Sequence, residues 1–244
     1  MLERAVVAAR RVVVFTGAGI SQESGLGTFR GAGGLWESFR PEDLATPEAF
    51  ARDPALVSRW YADRFASMRA AQPNAGHRAI ARWEALFPSL VVVTQNIDRL
   101  HQRAGSSRVL ELHGTVWISR CARCGVEVAT EELEAAGPPP ASCACSGLFR
   151  PGVVWFGERL PEEVFAEAVE ASAEADLFVV VGTSGTVWPA AGLVELAARG
   201  KAAIVEVNRE ATPLSALATL SMRGAAGEIL PRLTEEWSAW RSRS

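Results

Sequence analysis

Three buried strands that each stop at small or polar residues, the alternation of such strands with helical stretches, and four cysteines confined to one segment together predict the fold class. It is α/β: a Rossmann-like doubly wound parallel sheet with a small zinc-ribbon domain and a helical and flap insertion. The strand ends read GAGIS (17–21), GTS (182–184) and VN (207–208). A doubly wound sheet gathers the carboxyl ends of its strands along one edge, and ligands bind in the crevice there. The expected boundaries are a Rossmann-like unit over 1–30, 76–114 and 151–244, a flap and helical insertion over 31–75, and a cysteine module over 115–150.

The elements follow in order. Residues 2–10 read as a short amphipathic helix leading into Val12–Thr16, an apolar run buried on both faces. Gly17-Ala18-Gly19 follows, where backbone N–H groups can approach an anion closely. From Ser21 to Arg40 the text is Gly-rich and irregular, yet Phe29, Leu35, Trp36 and Phe39 argue for an ordered flap over a ligand. Residues 46–70 and 76–87 read as helices, the first begun by Thr46-Pro47 and the second capped by Asn74. Leu90–Thr94 is a second buried strand that ends in Gln95-Asn96-Ile97-Asp98, and Val109–Leu112 is a third that runs into His113-Gly114. Helices at 161–174, 189–199 and 225–241 alternate with strands at Leu177–Val181 and Ala203–Val207.

Composition narrows the class. With 244 residues, 48% of them apolar and 22% charged, the chain has material for a packed core. A net charge of −3 argues against a general binder of nucleic acid or anionic membranes. Arg4, Arg10 and Arg11 interrupt the amino-terminal apolar text, which therefore lacks the core of a secretory signal, and no run approaches the roughly 18 residues that span a bilayer. A cytoplasmic location with neither nucleic-acid nor membrane partners is the expectation. A dinucleotide suits the crevice, although no acidic residue follows a second strand as in a dehydrogenase, and no Gly-Lys-Ser/Thr follows the glycines.

Cys121-x-x-Cys124 and Cys143-x-Cys145 bracket 18 residues, close to the two-knuckle spacing of a structural zinc ribbon. Four thiolates leave no open position for a substrate, so the Zn2+, one per chain, would be a staple.

These stretches, together with GLGTFR (25–30), TQNID (94–98), LHG (112–114) and VVWFGE (153–158), resemble the sirtuin family of NAD-dependent protein-lysine deacylases. Family members often have proline where Gly27 stands and two residues between the later cysteines. The resemblance implies NAD as co-substrate, with diphosphate at Gly17, Ala18 and Gly19, adenosine near Gly182, Thr183, Ser184 and Asn208, and nicotinamide near Ile97 and Asp98. Gln95 and Asn96 would orient the nicotinamide ribose, and Arg30 would reach phosphate or that ribose. Ser21, Phe29, Trp36 and Ala226 complete the implied cofactor set. His113 matches the catalytic histidine, with Asn96 beside it, and an imidazole has a pKa suited to a base near neutral pH. The other histidines, His77 and His101, read as surface or capping residues.

Tyr61-x-x-Arg64 puts a phenol and a guanidinium on one helical face, a pair able to hold a carboxylate. The pair, with Ala45 and Thr28, resembles the sirtuin branch that removes succinyl, malonyl or glutaryl groups. Val154 and Phe156 complete the implied substrate contacts. The products would be nicotinamide, O-acyl-ADP-ribose and free lysine, with deacetylation as an accompanying activity and acylated lysines of proteins as partners. ADP-ribosyl transfer and a non-catalytic NAD sensor or scaffold are the competing functions.

Overall fold

A computed structural model describes residues 1–28, 34 and 40–243. The expected flap, with Phe29, Arg30 and Trp36, lies outside the described residues, apart from its first residues, Gly34 and Arg40. The central sheet has six parallel strands in the order β3-β2-β1-β7-β8-β9: β1 is Arg11–Thr16, β2 Ser89–Thr94, β3 Val109–Glu111, β7 Leu177–Val181, β8 Ala203–Asn208 and β9 Leu220–Arg223. This is the Rossmann strand order, and its direction of winding reverses between β1 and β7. The small antiparallel sheet, β5-β4-β6, uses β4 Gly114–Cys121, β5 Glu127–Ala129 and β6 Phe149–Val153.

The helices are α1 Leu2–Ala8, α2 Pro41–Leu44, α3 Pro47–Arg52, α4 Pro54–Ala70, α5 Ala75–Trp83, α6 Leu100–Arg103, α7 Thr130–Ala136, α8 Glu162–Ala173, α9 Gly192–Arg199 and α10 Ala226–Ser242. Strand alternation distributes β1 between two cores. Val12 and Val14 join Trp83 of α5 and Trp237 of α10, whereas Val13 and Phe15 join Leu193 and Val194 of α9. A third core lies between α3, α4 and the small sheet, built from Phe50, Val57, Tyr61, Phe65, Val116 and Trp155. The crevice opens between the loops that follow β1, β2 and β7 and this third core.

Two expectations change. Residues 46–70 form two helices rather than one, because Asp53 leaves the helical conformation and its carboxylate accepts the Leu56 N–H at 2.9 Å. Pro54 then starts α4, where a missing N–H costs nothing. His77 and His101 are both buried rather than on the surface. His77 does serve as a cap: Asn74 accepts the Gly76 and His77 N–H groups, and the Asn74 N–H donates to His77 Nδ1 at 3.3 Å. His101 Nε2 lies 2.9 Å from Thr16 Oγ1, and the two imidazoles meet edge to face at 4.9 Å. Among the described residues, no helix is long and apolar enough to cross a membrane.

Candidate functional site

The sheet ladder runs past the strand ends and so fixes the loops that follow. The Gly17 N–H donates to the Val181 carbonyl, the Gln95 N–H to that of Thr16, and the Gly182 N–H to that of Val207, each at 3.0 Å. These loops floor a crevice of about 260 Å³. Gly17, Ala18 and Gly19 line it beside Gly182, Thr183 and Ser184, with Gln95, Asn96, Ile97 and His113 alongside. The glycines have a packing reason as well as an anion-binding one. A Cβ on Gly19 would lie 2.7 Å from Gly182 Cα, and one on Gly17 2.8 Å from Thr183 Cβ.

Side-chain bonds stitch the floor together. Gln95 Nε2 donates to Thr183 Oγ1 at 2.8 Å, and Asn208 Nδ2 to the Thr183 carbonyl at 2.7 Å. Asn96 Nδ2 donates to the Gly17 carbonyl at 3.1 Å and to Ser21 Oγ at 3.3 Å, which keeps its amide nitrogen on the protein and leaves Oδ1 as an acceptor. Ser21 Oγ donates to Asp98 Oδ2 at 2.7 Å, and Asp98 Oδ1 accepts the Leu100 N–H at 2.9 Å. Burial raises the Asp98 carboxyl above its ordinary range, against these donors.

His113 ends the segment after β3. Its Nδ1–H donates to the Gln95 carbonyl at 3.0 Å, because a carbonyl can only accept, and this fixes Nε2 as the unprotonated nitrogen. Burial lowers the His113 pKa, while the bond to Gln95 opposes the shift. Gly114, at φ +66°, turns the chain sharply after it, and a Cβ there would collide with the Gly152 carbonyl.

The opposite wall carries Ala45, Tyr61, Val154 and Phe156. The Val154 N–H donates to the His113 carbonyl and the Phe156 N–H to that of Ala45, each at 2.9 Å. Arg64 does not line the crevice; its guanidinium lies 5.9 Å from the Trp60 ring centroid, and burial lowers its pKa. Ser21, Asp98 and Asn208 stand behind the lining residues, and Ala226 is buried at the start of α10 beside Gly76. Trp155, Glu158 and Trp188, which the sequence alone does not single out, also line the crevice. The first two stand inside VVWFGE, a motif whose pattern gives neither a separate role.

The four cysteines come together at one end of the small sheet. Their sulfurs lie within 4.8 Å of one another, with Cys121–Cys145 at 3.5 Å and Cys124–Cys143 at 3.8 Å. A tetrahedral zinc with Zn–S bonds of about 2.3 Å needs sulfurs about 3.8 Å apart, so the cluster fits that ion. The short second knuckle closes because Ser146 adopts φ +66° and Gly147 leaves room for the Cys121 sulfur. The Cys124 N–H leads the donors that pull the Cys121 thiol down to about 6. Cys124, despite the Val126 N–H, is pushed up to about 12 by its neighbouring sulfurs. Four thiolates at this spacing call for a cation, and the cysteines are arranged to bind a zinc ion.

The Sir2 family model matches residues 17–189. Over 232 residues, 95% of this chain and 92% of the relative, the sequence is 53% identical to NAD-dependent protein deacylase 2 of Pyrobaculum aerophilum. A mutant Sir2 homologue in complex with ADP-ribose superposes with a TM-score of 0.94 at 42% identity, covering 100% of this chain and 98% of that one. A Sir2 homologue in complex with NAD superposes with a TM-score of 0.90 at 44% identity, covering 98% and 93%. The sheet order, the crevice, the cysteine cluster and these similarities agree: the chain belongs to the Sir2 family.

Proposed function

We propose that the chain is an NAD-dependent protein-lysine deacylase that removes succinyl groups, with malonyl, glutaryl and acetyl groups as further substrates. With one water consumed, the products are nicotinamide, O-acyl-ADP-ribose and free lysine. The observation that carries the reading is the tautomer of His113. With Nδ1–H on the Gln95 carbonyl, Nε2 is a neutral base at the crevice between the glycine loop and the Tyr61 wall. When bound, NAD would supply an electrophilic ribose carbon for the acyl oxygen of the modified lysine, with nicotinamide as its leaving group.

The chain's own residues then have distinct tasks. His113 Nε2 takes the proton of a ribose hydroxyl. Asn96 and Gln95 orient that ribose, Ile97 and Asp98 flank nicotinamide, and Gly17, Ala18 and Gly19 offer backbone N–H groups to diphosphate. Ser21 holds Asn96 and Asp98 in register. Gly182, Thr183, Ser184 and Asn208 receive adenosine, with Ala226, Phe29, Arg30 and Trp36 completing the site. Val154 and Phe156 flank the lysine-bearing segment, and Ala45 leaves room for an acyl chain longer than acetyl. Tyr61, on the crevice wall, receives its carboxylate, and Arg64, one helical turn on along α4 and set back from that wall, supplies the positive charge beside it. Cys121, Cys124, Cys143 and Cys145 hold a structural zinc remote from this chemistry. The setting is cytoplasmic.

The test is turnover of matched succinyl-lysine and acetyl-lysine peptides with and without NAD, in the wild type and in Arg64→Met, followed by nicotinamide release. Losing one charge-assisted contact of about 1.5–3 kcal/mol lowers desuccinylation about ten- to a hundredfold relative to deacetylation. Equal losses on both peptides would remove Arg64 from acyl recognition. ADP-ribosylated protein in place of O-acyl-ADP-ribose would replace deacylation by ADP-ribosyl transfer.

A further inference from the structure

The Tyr61 hydroxyl is an acceptor with its own proton left over. Trp155 Nε1–H donates to it at 3.0 Å, and an indole nitrogen can only donate. Among the described residues, no acceptor takes the phenol proton in return. Burial raises the Tyr61 pKa far above that of an ordinary phenol, so the group stays protonated and remains a donor.

Trp155 itself is held at ring and main chain by one ion pair. Arg150 donates to Glu158 at 2.5 and 2.9 Å, and its guanidinium carbon lies 3.4 Å from the Trp155 ring centroid. Glu158 Oε2 also accepts the Trp155 N–H at 2.8 Å, and Arg150 donates to the Val153 carbonyl at 2.9 Å. Main chain and ring of Trp155 are therefore fixed by the same two side chains. Phe50 adds a ring contact at 5.4 Å. Glu158 lines the crevice, and although burial works against its charge, Arg150 and the Trp155 N–H hold it below the ordinary carboxylate range. Its charge is thus spent on Arg150 rather than turned against an anionic ligand.

We propose that Trp155 is a specificity-determining positioning residue: by donating to the Tyr61 oxygen, it leaves the phenol proton as the donor for a carboxylate at the far end of the acyl chain. The proposal rests on the acidic-acyl reading above. An acetyl group has no acceptor at that end, so the arrangement discriminates between acyl groups instead of raising turnover in general. The Arg150–Glu158 pair keeps the indole aimed and keeps a competing carboxylate out of the way.

Steady-state kcat and KM at saturating NAD, on matched succinyl-lysine and acetyl-lysine peptides, test it in the wild type, Trp155→Phe, Tyr61→Phe and the double variant. Trp155→Phe should raise KM for the succinyl peptide and lower the succinyl-to-acetyl ratio of kcat/KM about tenfold. The double variant should then have the ratio of Tyr61→Phe alone, since Trp155 acts through Tyr61. Equal losses on both peptides, or additive losses in the double variant, overturn the proposal. A wild type that fails to turn over the succinyl peptide overturns the acidic-acyl reading and the proposal with it. A desuccinylase whose ratio is unmoved by Trp155→Phe overturns the proposal alone. A second measurement does not depend on Trp155→Phe folding. In 15N-labelled wild type without NAD, the indole N–H signal that Tyr61→Phe displaces should shift on adding succinyl-lysine peptide and stay in place with acetyl-lysine peptide. A signal that ignores the succinyl peptide also overturns the proposal.

Discussion

Replacing Gly19 by alanine separates two explanations of the glycine loop. If the glycines serve only to let backbone N–H groups approach diphosphate, Gly19→Ala should lower NAD affinity and leave the apo protein's stability alone. The geometry gives a different result. The new Cβ would stand 2.7 Å from both Cα and the carbonyl oxygen of Gly182, where ordinary contact begins at 3.4 Å. The two loops must part by about 0.7 Å, which strains the 2.8 Å bond from the Gly19 N–H to the Gly182 carbonyl. Gly182 cannot simply rotate away, because it holds φ +60° and its N–H is committed to Val207. Overpacking of this kind costs about 1–3 kcal/mol. For a chain of this size that is a fall in Tm of roughly 2–12 °C, read by calorimetry without ligand. NAD affinity falls too, because Thr183 and Gln95 move with the loop. Unchanged Tm with lost NAD binding would refute the packing argument and return the glycine to the anion alone.

His113→Ala should lower deacylation by about 10²- to 10⁴-fold with NAD still bound, as measured by nicotinamide release and by calorimetric titration. Because burial lowers the His113 pKa, the base stays neutral as pH falls, and the acid limb of kcat/KM should have its midpoint below about 6.5; a midpoint above that would contradict the buried tautomer. Stability should show its own acid limb. Burial, helped by Arg78, holds His77 down to about 4, and burial also lowers His101, so the unfolded chain takes up protons that the native chain refuses. Their contribution is fully present above about pH 6.5 and is lost as pH falls toward 4, where His77 alone accounts for about 3 kcal/mol; urea midpoints at pH 7 and 5 read the slope, and a flat profile counts against it. Cys121→Ser should cut bound zinc well below one per chain, measured by elemental analysis, and lower Tm; full zinc content would contradict a four-thiolate site.

What the sequence made legible follows from how burial writes itself into a chain. The central strands β1, β2 and β7 are covered on both faces, so each carries an apolar run readable without context, and β8 is buried likewise although Glu206 interrupts its apolar text. Strand β9 is an edge, with three of its four residues exposed, and carries no such signal. It is held by the buried Glu206 carboxylate, which gathers Thr212, Ser215, Ser221 and Arg223, a hub assembled only by tertiary contact. The small sheet escaped for a related reason, since its β5 strand has little buried surface and its order depends on the cysteine cluster. The break at Asp53 was legible in Asp53-Pro54, yet apolar residues on both sides continue one helical pattern across it.

The site divides along the same line. Gly17, Asn96, His113 and Thr183 stand at strand ends, where topology alone directs them to one edge, and their chemistry could be read in place. Trp155 is different. It is prominent in its own motif, but its consequence depends on a hydroxyl 94 residues earlier in the chain. His77 and His101 likewise gain meaning only from each other and from Thr16. A donor or base that acts alone is visible in a sequence. A group whose role is to spend one bond so that another stays free becomes visible only when the partner that takes the first bond is known, and Asn96, His113 and Tyr61 all belong to that kind.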